Sequence, residues 1–230
     1  MFSSGHNKVL VLAPHPDDET LGCGGTLLKH KEAGDRIYWV IVTCISEKEG
    51  WDTAKVKERK GEIEEVLNFY EFEKHFSLDF PAAKLDQVPK KELTNSLGKV
   101  FDKINPDIIY VNHGGDIHSD HRSVFEAVSS ATKDFRRPNI KKIVTYETIS
   151  ETEFQLHEGK DLNESFIPNM YVDITDFFDK KCQAFKIYDS EVMEGSLPRS
   201  LSSIEALARF RGSRISSTYA EAFRILYEKC

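Results

Sequence analysis

Residues 13–20, Ala13-Pro14-His15-Pro16-Asp17-Asp18-Glu19-Thr20, pack one imidazole and three carboxylates into a single short stretch. An imidazole beside closely spaced carboxylates is ligand chemistry for a divalent metal. More than a hundred positions on, His113-Gly114-Gly115-Asp116-Ile117-His118-Ser119-Asp120-His121 adds a second such group. His15 and Asp18 stand three apart at the entrance to a helix, so both side chains can point one way, and His121 can supply a third ligand. Two imidazoles, one carboxylate and an open position for water make a catalytic zinc arrangement. Asp17 lies between two ligands and is better placed to accept a proton from a water whose pKa the cation brings down to about 7. His118 and His121 are also three apart. With Ser119 as helix cap, one ring binds metal while the other faces the substrate. Asp120 is expected to hydrogen-bond His118 and favour its imidazolium form, which would stabilise a developing oxyanion.

Each cluster alone also has a plain structural reading. Acidic residues suit a positive helix N-terminus, and a lone H-x-x-H is often a solvated helix face. The pairing of the two clusters decides against that reading, because each follows a predicted strand. Lys8–Leu12 is a buried apolar strand, and Asp107–Val111 (Asp-Ile-Ile-Tyr-Val) is another. If both are central and parallel, their following loops face each other across the crevice where open α/β sheets hold ligands.

The remaining elements alternate in the βαβ manner. Helices are predicted over Thr20–Gly34, Ala54–Tyr70 and Leu93–Ile104, and from the second cluster to about Ala131. Arg36–Thr43 and Lys142–Glu147 read as strands. Further on, Glu151–Asn169 is polar loop or edge structure and Met170–Ile174 a strand. Asp176–Tyr188, Ser202–Phe210 and Ala220–Tyr227 read as helices. Gly22, Gly24 and Gly25 do not make G-x-G-x-x-G, so they are expected to permit close helix–sheet packing and not to bind a dinucleotide.

At 230 residues, with neither repeat nor low-complexity linker, the chain is expected to form one domain over residues 1–230. Hydrophobic residues make up 40% and charged residues 30%, an ordinary soluble composition. Lys plus Arg number 31 against 38 Asp plus Glu, a formal charge of −7, which argues against nucleic acid or an anionic membrane as the main partner. Cys23, Cys44, Cys182 and Cys230 form no C-x-x-C pair, so neither a zinc knuckle nor a disulfide scaffold is expected. No secretory leader or membrane-length apolar run is evident. A cytoplasmic protein is expected, with homo-oligomerisation left open.

At the two clusters the chain resembles the LmbE-like, or PIG-L, family of zinc-dependent de-N-acetylases. The family's A-H-P-D-D-E appears as Ala13-Pro14-His15-Pro16-Asp17-Asp18-Glu19, with Pro14 intervening, and its H-P-D-H as His118-Ser119-Asp120-His121, with Ser in place of Pro. Arg59 and Glu62 resemble its R-x-x-E, and Tyr219-Ala220-Glu221-Ala222-Phe223 its Y-A-E-A-F tail. The resemblance implies a Rossmann-like α/β three-layer sandwich with a mainly parallel central sheet. It implies zinc on His15, Asp18 and His121, Asp17 as general base, and His118 as oxyanion stabiliser oriented by Asp120. The implied reaction removes acetate from an N-acetylated amino sugar or its conjugate. Iron or manganese would also suit this ligand set.

The substrate contacts stay open at this point. Arg59 could reach a substrate hydroxyl or phosphate, or pair with Glu62 on its own helix. Tyr219 and Glu221 could close one wall of a pocket or serve packing alone. Ser46, Glu47 and Trp51 follow the second strand, where they either shape substrate choice or form an ordinary surface loop. A metal-dependent hydrolase of another bond and a sugar-binding protein without catalysis are the rival functions.

Overall fold

The computed structural model describes residues 6–156 and 165–229. Its strands and helices follow the order β1 (Lys8–Ala13), α1 (Asp18–Glu32), β2 (Arg36–Cys44), α2 (Thr53–Tyr70), β3 (Lys74–Pro81), α3 (Lys90–Ile104), β4 (Ile108–Asn112) and α4 (Ser119–Ala131). They continue with β5 (Lys142–Tyr146), β6 (Met170–Asp173), α5 (Phe178–Ile187), α6 (Leu201–Ser213) and β7 (Ala220–Glu228). The seven strands form one sheet in the order β3-β2-β1-β4-β5-β7-β6. β3, β2, β1, β4 and β5 are mutually parallel. β7 runs antiparallel to both β5 and β6.

Alternation along the central strand distributes side chains to two cores. Val9 and Val11 face one side, where Leu27 of α1, Val66 of α2, Phe185 of α5 and Ala208 of α6 pack. Leu10 and Leu12 face the other, against Leu97 and Phe101 of α3 and Val124 and Val128 of α4. Both faces are thus covered by helices, which is why β1 reads as an unbroken apolar run. From β1 the chain winds outward to β2 and β3, then returns to β4 on the other flank. The reversal opens a crevice at the carboxyl ends of β1 and β4, the place where such sheets take ligands.

α1 is broken at Cys23 (φ −146°, ψ 21°). At the break the Leu21 carbonyl accepts from Lys181 Nζ at 2.8 Å. The N–H groups of Gly25 and Thr26 donate instead to the Glu221 carboxylate, at 2.9 and 2.7 Å. Lys181 and Glu221 are themselves paired at 2.7 Å, so a buried ion pair satisfies the groups that the kink releases. The expected role of the α1 glycines holds: a Cβ on Gly22 would lie 2.1 Å from the Tyr146 ring, and one on Gly25 would lie 2.8 Å from Ile174.

Several element boundaries differ from expectation. Residues 220–228 are a strand, not a helix: they fill the gap between β5 and β6, and Ala220 to Phe223 are buried there. β3 occupies a segment where no element was expected. α1 begins at Asp18, two residues before the expected Thr20, with Asp17 at the N-cap position but without a side-chain cap. α4 is capped by His118, not by Ser119. No described helix is long and apolar enough to cross a membrane.

The Gly22 contact generates a stability prediction. Tyr146 cannot retreat freely, because its hydroxyl donates to the Leu12 carbonyl at 2.7 Å. Gly22→Ala should therefore lower stability by about 1–3 kcal/mol through overpacking, read as a lower denaturant midpoint. An unchanged midpoint would show that this contact does not set the helix–sheet spacing.

Candidate metal centre and cleft

Three elements deliver three ligand atoms to one point. His15 lies just past β1, Asp18 opens α1, and His121 sits in the first turn of α4. One ligand atom from each falls within 4.8 Å of the others. Asp18 Oδ2 lies 3.5 Å from His15 Nδ1 and 3.3 Å from His121 Nε2. The same oxygen accepts from the His15 backbone N–H at 2.8 Å, which fixes the turn.

The outer nitrogen of each ring has its own carboxylate. His15 Nε2 donates to Asp120 Oδ2 at 3.0 Å, and His121 Nδ1 donates to Asp116 Oδ2 at 2.8 Å. Carboxylates behind both rings orient them and raise their basicity, as around metal-ligating histidines generally. His121 Nε2 is buried without a hydrogen-bond partner. An orphaned imidazole nitrogen beside a carboxylate and a second imidazole fits a divalent cation on His15, Asp18 and His121.

The electrostatics agree. Burial opposes charge on His15, but hydrogen bonds to Asp120 and Asp18 prevail and raise its pKa to about 9. For His121 burial is likewise outweighed, by Asp18 and Asp116, and its pKa is raised. Burial would raise the Asp18 carboxyl, yet His121 and His15 hold it far below the usual carboxylate range. Without a cation, this cluster keeps protons on the rings.

His15, His118 and Asp120 form a second close group, but its carboxylate is committed. Asp120 accepts from the N–H groups of Ala83 at 2.7 Å and Leu85 at 2.9 Å, besides His15. The expected contact between the Asp120 carboxylate and His118 is therefore not formed. Instead the Asp120 backbone N–H donates to His118 Nδ1 at 3.1 Å, because His118 occupies the helix-cap position. Nδ1 thus carries the lone pair, and in the neutral ring Nε2 carries the proton. Burial, reinforced by His15 and His121, lowers the His118 pKa to about 4. The expected imidazolium is replaced by a neutral donor.

Asp17 adopts φ 125°, ψ −30°, and its carboxylate caps no helix N–H. Burial raises its pKa, with Asp18 and Glu191 adding to the effect and Arg59 and Arg199 opposing it. Glu19 is fully buried and accepts from Thr20 Oγ1 at 2.6 Å, Tyr188 Oη at 2.8 Å and the Asp17 N–H at 3.2 Å. Burial pushes its carboxyl up to about 7.

A cleft of about 240 Å³ opens above these groups. Leu21, Ile45 and Trp51 line it, as do Arg59, Glu191 and Arg199, together with Asp17, His118 and the candidate ligands. Glu47 lies on an exposed 3-10 turn and is not among the lining residues. Tyr219 also lies away from the cleft, stacked on Phe178 at 3.9 Å with its hydroxyl on Glu205 at 3.0 Å. Glu221 is occupied at the α1 break. Asp116, Glu191 and Arg199 carried no expected role. For Asp116 a signal existed, since a carboxylate five positions before a ligand histidine can reach its outer nitrogen.

Two measurements check this centre. Asp116→Asn should weaken metal binding by about 10–100-fold, read by titration calorimetry; unaltered affinity would remove Asp116 from the metal's support. Because both ligand rings have raised pKa values, cation binding near neutral pH should release protons, roughly two per site. Affinity should then rise with pH as the competing protons leave, at least up to the His15 pKa of about 9. Calorimetry in buffers of different ionisation enthalpy counts the protons, and a count near zero would show neutral rings.

Comparison with known proteins places this arrangement. The family described as GlcNAc-PI de-N-acetylase, PIG-L, matches residues 10–132, a span that contains both clusters. Diacetylchitobiose deacetylase of Thermococcus kodakarensis is 27% identical over 237 residues, covering 95% of this chain and 83% of that protein. Conserved protein TT1542 of Thermus thermophilus shares the fold with a TM-score of 0.76 at 24% identity, over 97% of this chain and 96% of that one. N,N'-diacetylchitobiose deacetylase of Pyrococcus horikoshii gives 0.72 at 24% identity, over 96% and 84%. With its seven-strand, mostly parallel sheet and both His/Asp clusters inside the matched span, this chain belongs to the PIG-L family.

Proposed function

We propose that the protein is a zinc-dependent hydrolase that removes the acetyl group from an N-acetylated amino sugar of GlcNAc type, free or conjugated as a glycoside or nucleotide sugar. The observation that carries this reading is the convergence of His15, Asp18 and His121 within 4.8 Å, with the buried His121 Nε2 unpartnered. Family membership supports it.

His15, Asp18 and His121 would hold the cation. A zinc ion there supplies Lewis acidity to the amide carbonyl and brings a water's pKa down to about 7. Asp17, whose carboxylate borders the cleft and caps nothing, takes the proton from the attacking water. Its raised pKa lets it hold that proton and then deliver it to the leaving nitrogen, so one carboxyl serves as base and acid. His118 Nε2–H donates to the oxyanion that develops on the former carbonyl oxygen. Water and the amide are consumed; acetate and the free amine of the sugar are released. Asp120 and Asp116 touch no substrate and keep the two ligand rings in place.

A panel of N-acetyl sugars, their glycosides and nucleotide sugars tests the reaction, with acetate and free amine as paired readouts. Tight sugar binding with no acetate from any member would make the protein a binding module instead. Asp17→Asn should keep its metal and lose about a hundredfold or more in kcat; near-normal turnover would remove Asp17 as the base. His121→Ala should lose both metal and activity, and full retention of both would overturn the ligand set.

A further inference from the structure

Three hydroxyl-bearing side chains line the cleft, Thr43, Thr148 and Ser150, and two of them are spent inside the protein. Thr43 Oγ1 donates to the Pro14 carbonyl at 2.8 Å, and Ser150 Oγ donates to Glu151 Oε1 at 3.3 Å. Thr148 is 1% exposed, and its hydroxyl has no hydrogen-bond partner. Leaving a buried hydroxyl unpaired is costly, so a native chain that does so calls for a partner from outside it.

The main chain of Thr148 is fully engaged, which fixes the place of that hydroxyl. Its N–H donates to Thr152 Oγ1 at 2.9 Å, and its carbonyl accepts from the N–H groups of Glu151 at 3.1 Å and Thr152 at 2.9 Å. Thr152 Oγ1 in turn donates to Asp116 Oδ1 at 2.7 Å, and Asp116 Oδ2 accepts from His121 Nδ1 at 2.8 Å. Thr148 is thus held in register with a metal-ligand ring through Thr152 and Asp116. Its β-branched side chain has few rotamers, so the hydroxyl is placed before any ligand arrives.

A group that both donates and accepts suits a sugar hydroxyl, which does the same. Thr148 stands between the cleft and a second cavity of about 420 Å³ that Glu147 and Arg211 also line. There Arg211 donates to both Glu147 oxygens, at 2.8 and 2.6 Å, so those two charges satisfy each other. The candidate cation lies on the cleft side, where a substrate brings its polar groups.

We propose that Thr148 is a substrate-binding residue whose hydroxyl hydrogen-bonds a ring hydroxyl of the amino sugar while the acetamido group lies at the cation. This deepens the deacetylase reading and rests on it. It adds a specificity, because a site built to bond a hydroxyl discriminates against the analogue that lacks it.

The test sets metal-loaded wild type beside Thr148→Val, Thr148→Ala and Thr148→Ser. Val keeps nearly the shape of Thr without its hydroxyl, Ala covers a failure of the Val variant to fold, and Ser restores the hydroxyl. The probes are the methyl glycoside of N-acetylglucosamine and its 3-deoxy, 4-deoxy and 6-deoxy forms. On the parent glycoside, Val and Ala should lower kcat/KM by about tenfold or more, with Ser within about threefold of wild type. For one deoxy form only, the gap between Thr148→Val and wild type should shrink to about threefold or less. Metal affinity by calorimetry should match wild type, because the bond from Thr152 to Asp116 does not use the Thr148 hydroxyl.

Unchanged kcat/KM in both Thr148→Val and Thr148→Ala would overturn the proposal and leave the hydroxyl to an ordered water. A loss of equal size on every probe, or a loss of metal affinity, would overturn it too, since each marks structural support. If the sugars bound without acetate release, the deacetylase reading would fail, and the same ratios taken from Kd would still decide Thr148. No binding to wild type would overturn both.

Discussion

Charge withdrawn from water at the mouth of the β1/β4 crevice is the constraint around which this molecule is arranged. Asp18, Asp116 and Asp120 are buried there with His121, and His15 is half-buried beside them. Carboxylates so placed are tolerable only when every oxygen has a donor or a cation nearby. The structure meets that demand in layers. Backbone N–H groups of residues 15, 83 and 85 bind Asp18 and Asp120, the Thr152 hydroxyl binds Asp116 at 2.7 Å, and the imidazoles fill the space between. Within the His15, Asp18 and His121 group, His121 Nε2 is left without a hydrogen-bond partner, and a dication there would complete the set.

The same layering separates roles among residues of identical type. The His15, His118 and His121 rings crowd together, with centroids 4.5, 5.3 and 5.5 Å apart, yet their states diverge. Two rings are backed by carboxylates and have raised pKa values, while burial, reinforced by the two neighbouring rings, lowers that of His118, whose Nδ1 accepts a backbone N–H. Asp17, Asp18 and Glu19 are consecutive, and they too divide: one faces the cleft, one faces the rings, and one braces the turn from behind. Environment distributes these tasks, since residue type cannot.

The chemistry of the clusters and the parallel core were legible because both rest on local signals. A strand buried on two faces leaves an unbroken apolar run, and ligand types at strand ends have few other uses. Two elements escaped for the opposite reason. Ala220–Glu228 is rich in helix formers, and only the gap between β5 and β6 makes it extended, so tertiary pairing overrode propensity. β3 is an edge strand with only Phe80 buried, too weak a pattern to stand out. The partners of Arg59 were unreadable as well: Ser190 and Glu191 sit 131 and 132 positions away, on an irregular segment without periodicity. The helix-cap duty of His118 was hidden because side-chain caps are usually Ser, Thr, Asp or Asn, and Ser119 drew the assignment.

The break in α1 has a temporal side. The carboxylate that closes it, Glu221, lies 196 residues beyond Gly25 and belongs to the last strand described. During vectorial synthesis the turn bearing His15 and Asp18 emerges early, but its helix lacks the acceptor for two N–H groups until β7 inserts beside β5. That insertion is a long-range event of the kind that folds late. The centre therefore matures near the end of folding, when the insertion of a single antiparallel strand brings Glu221 to the interrupted helix.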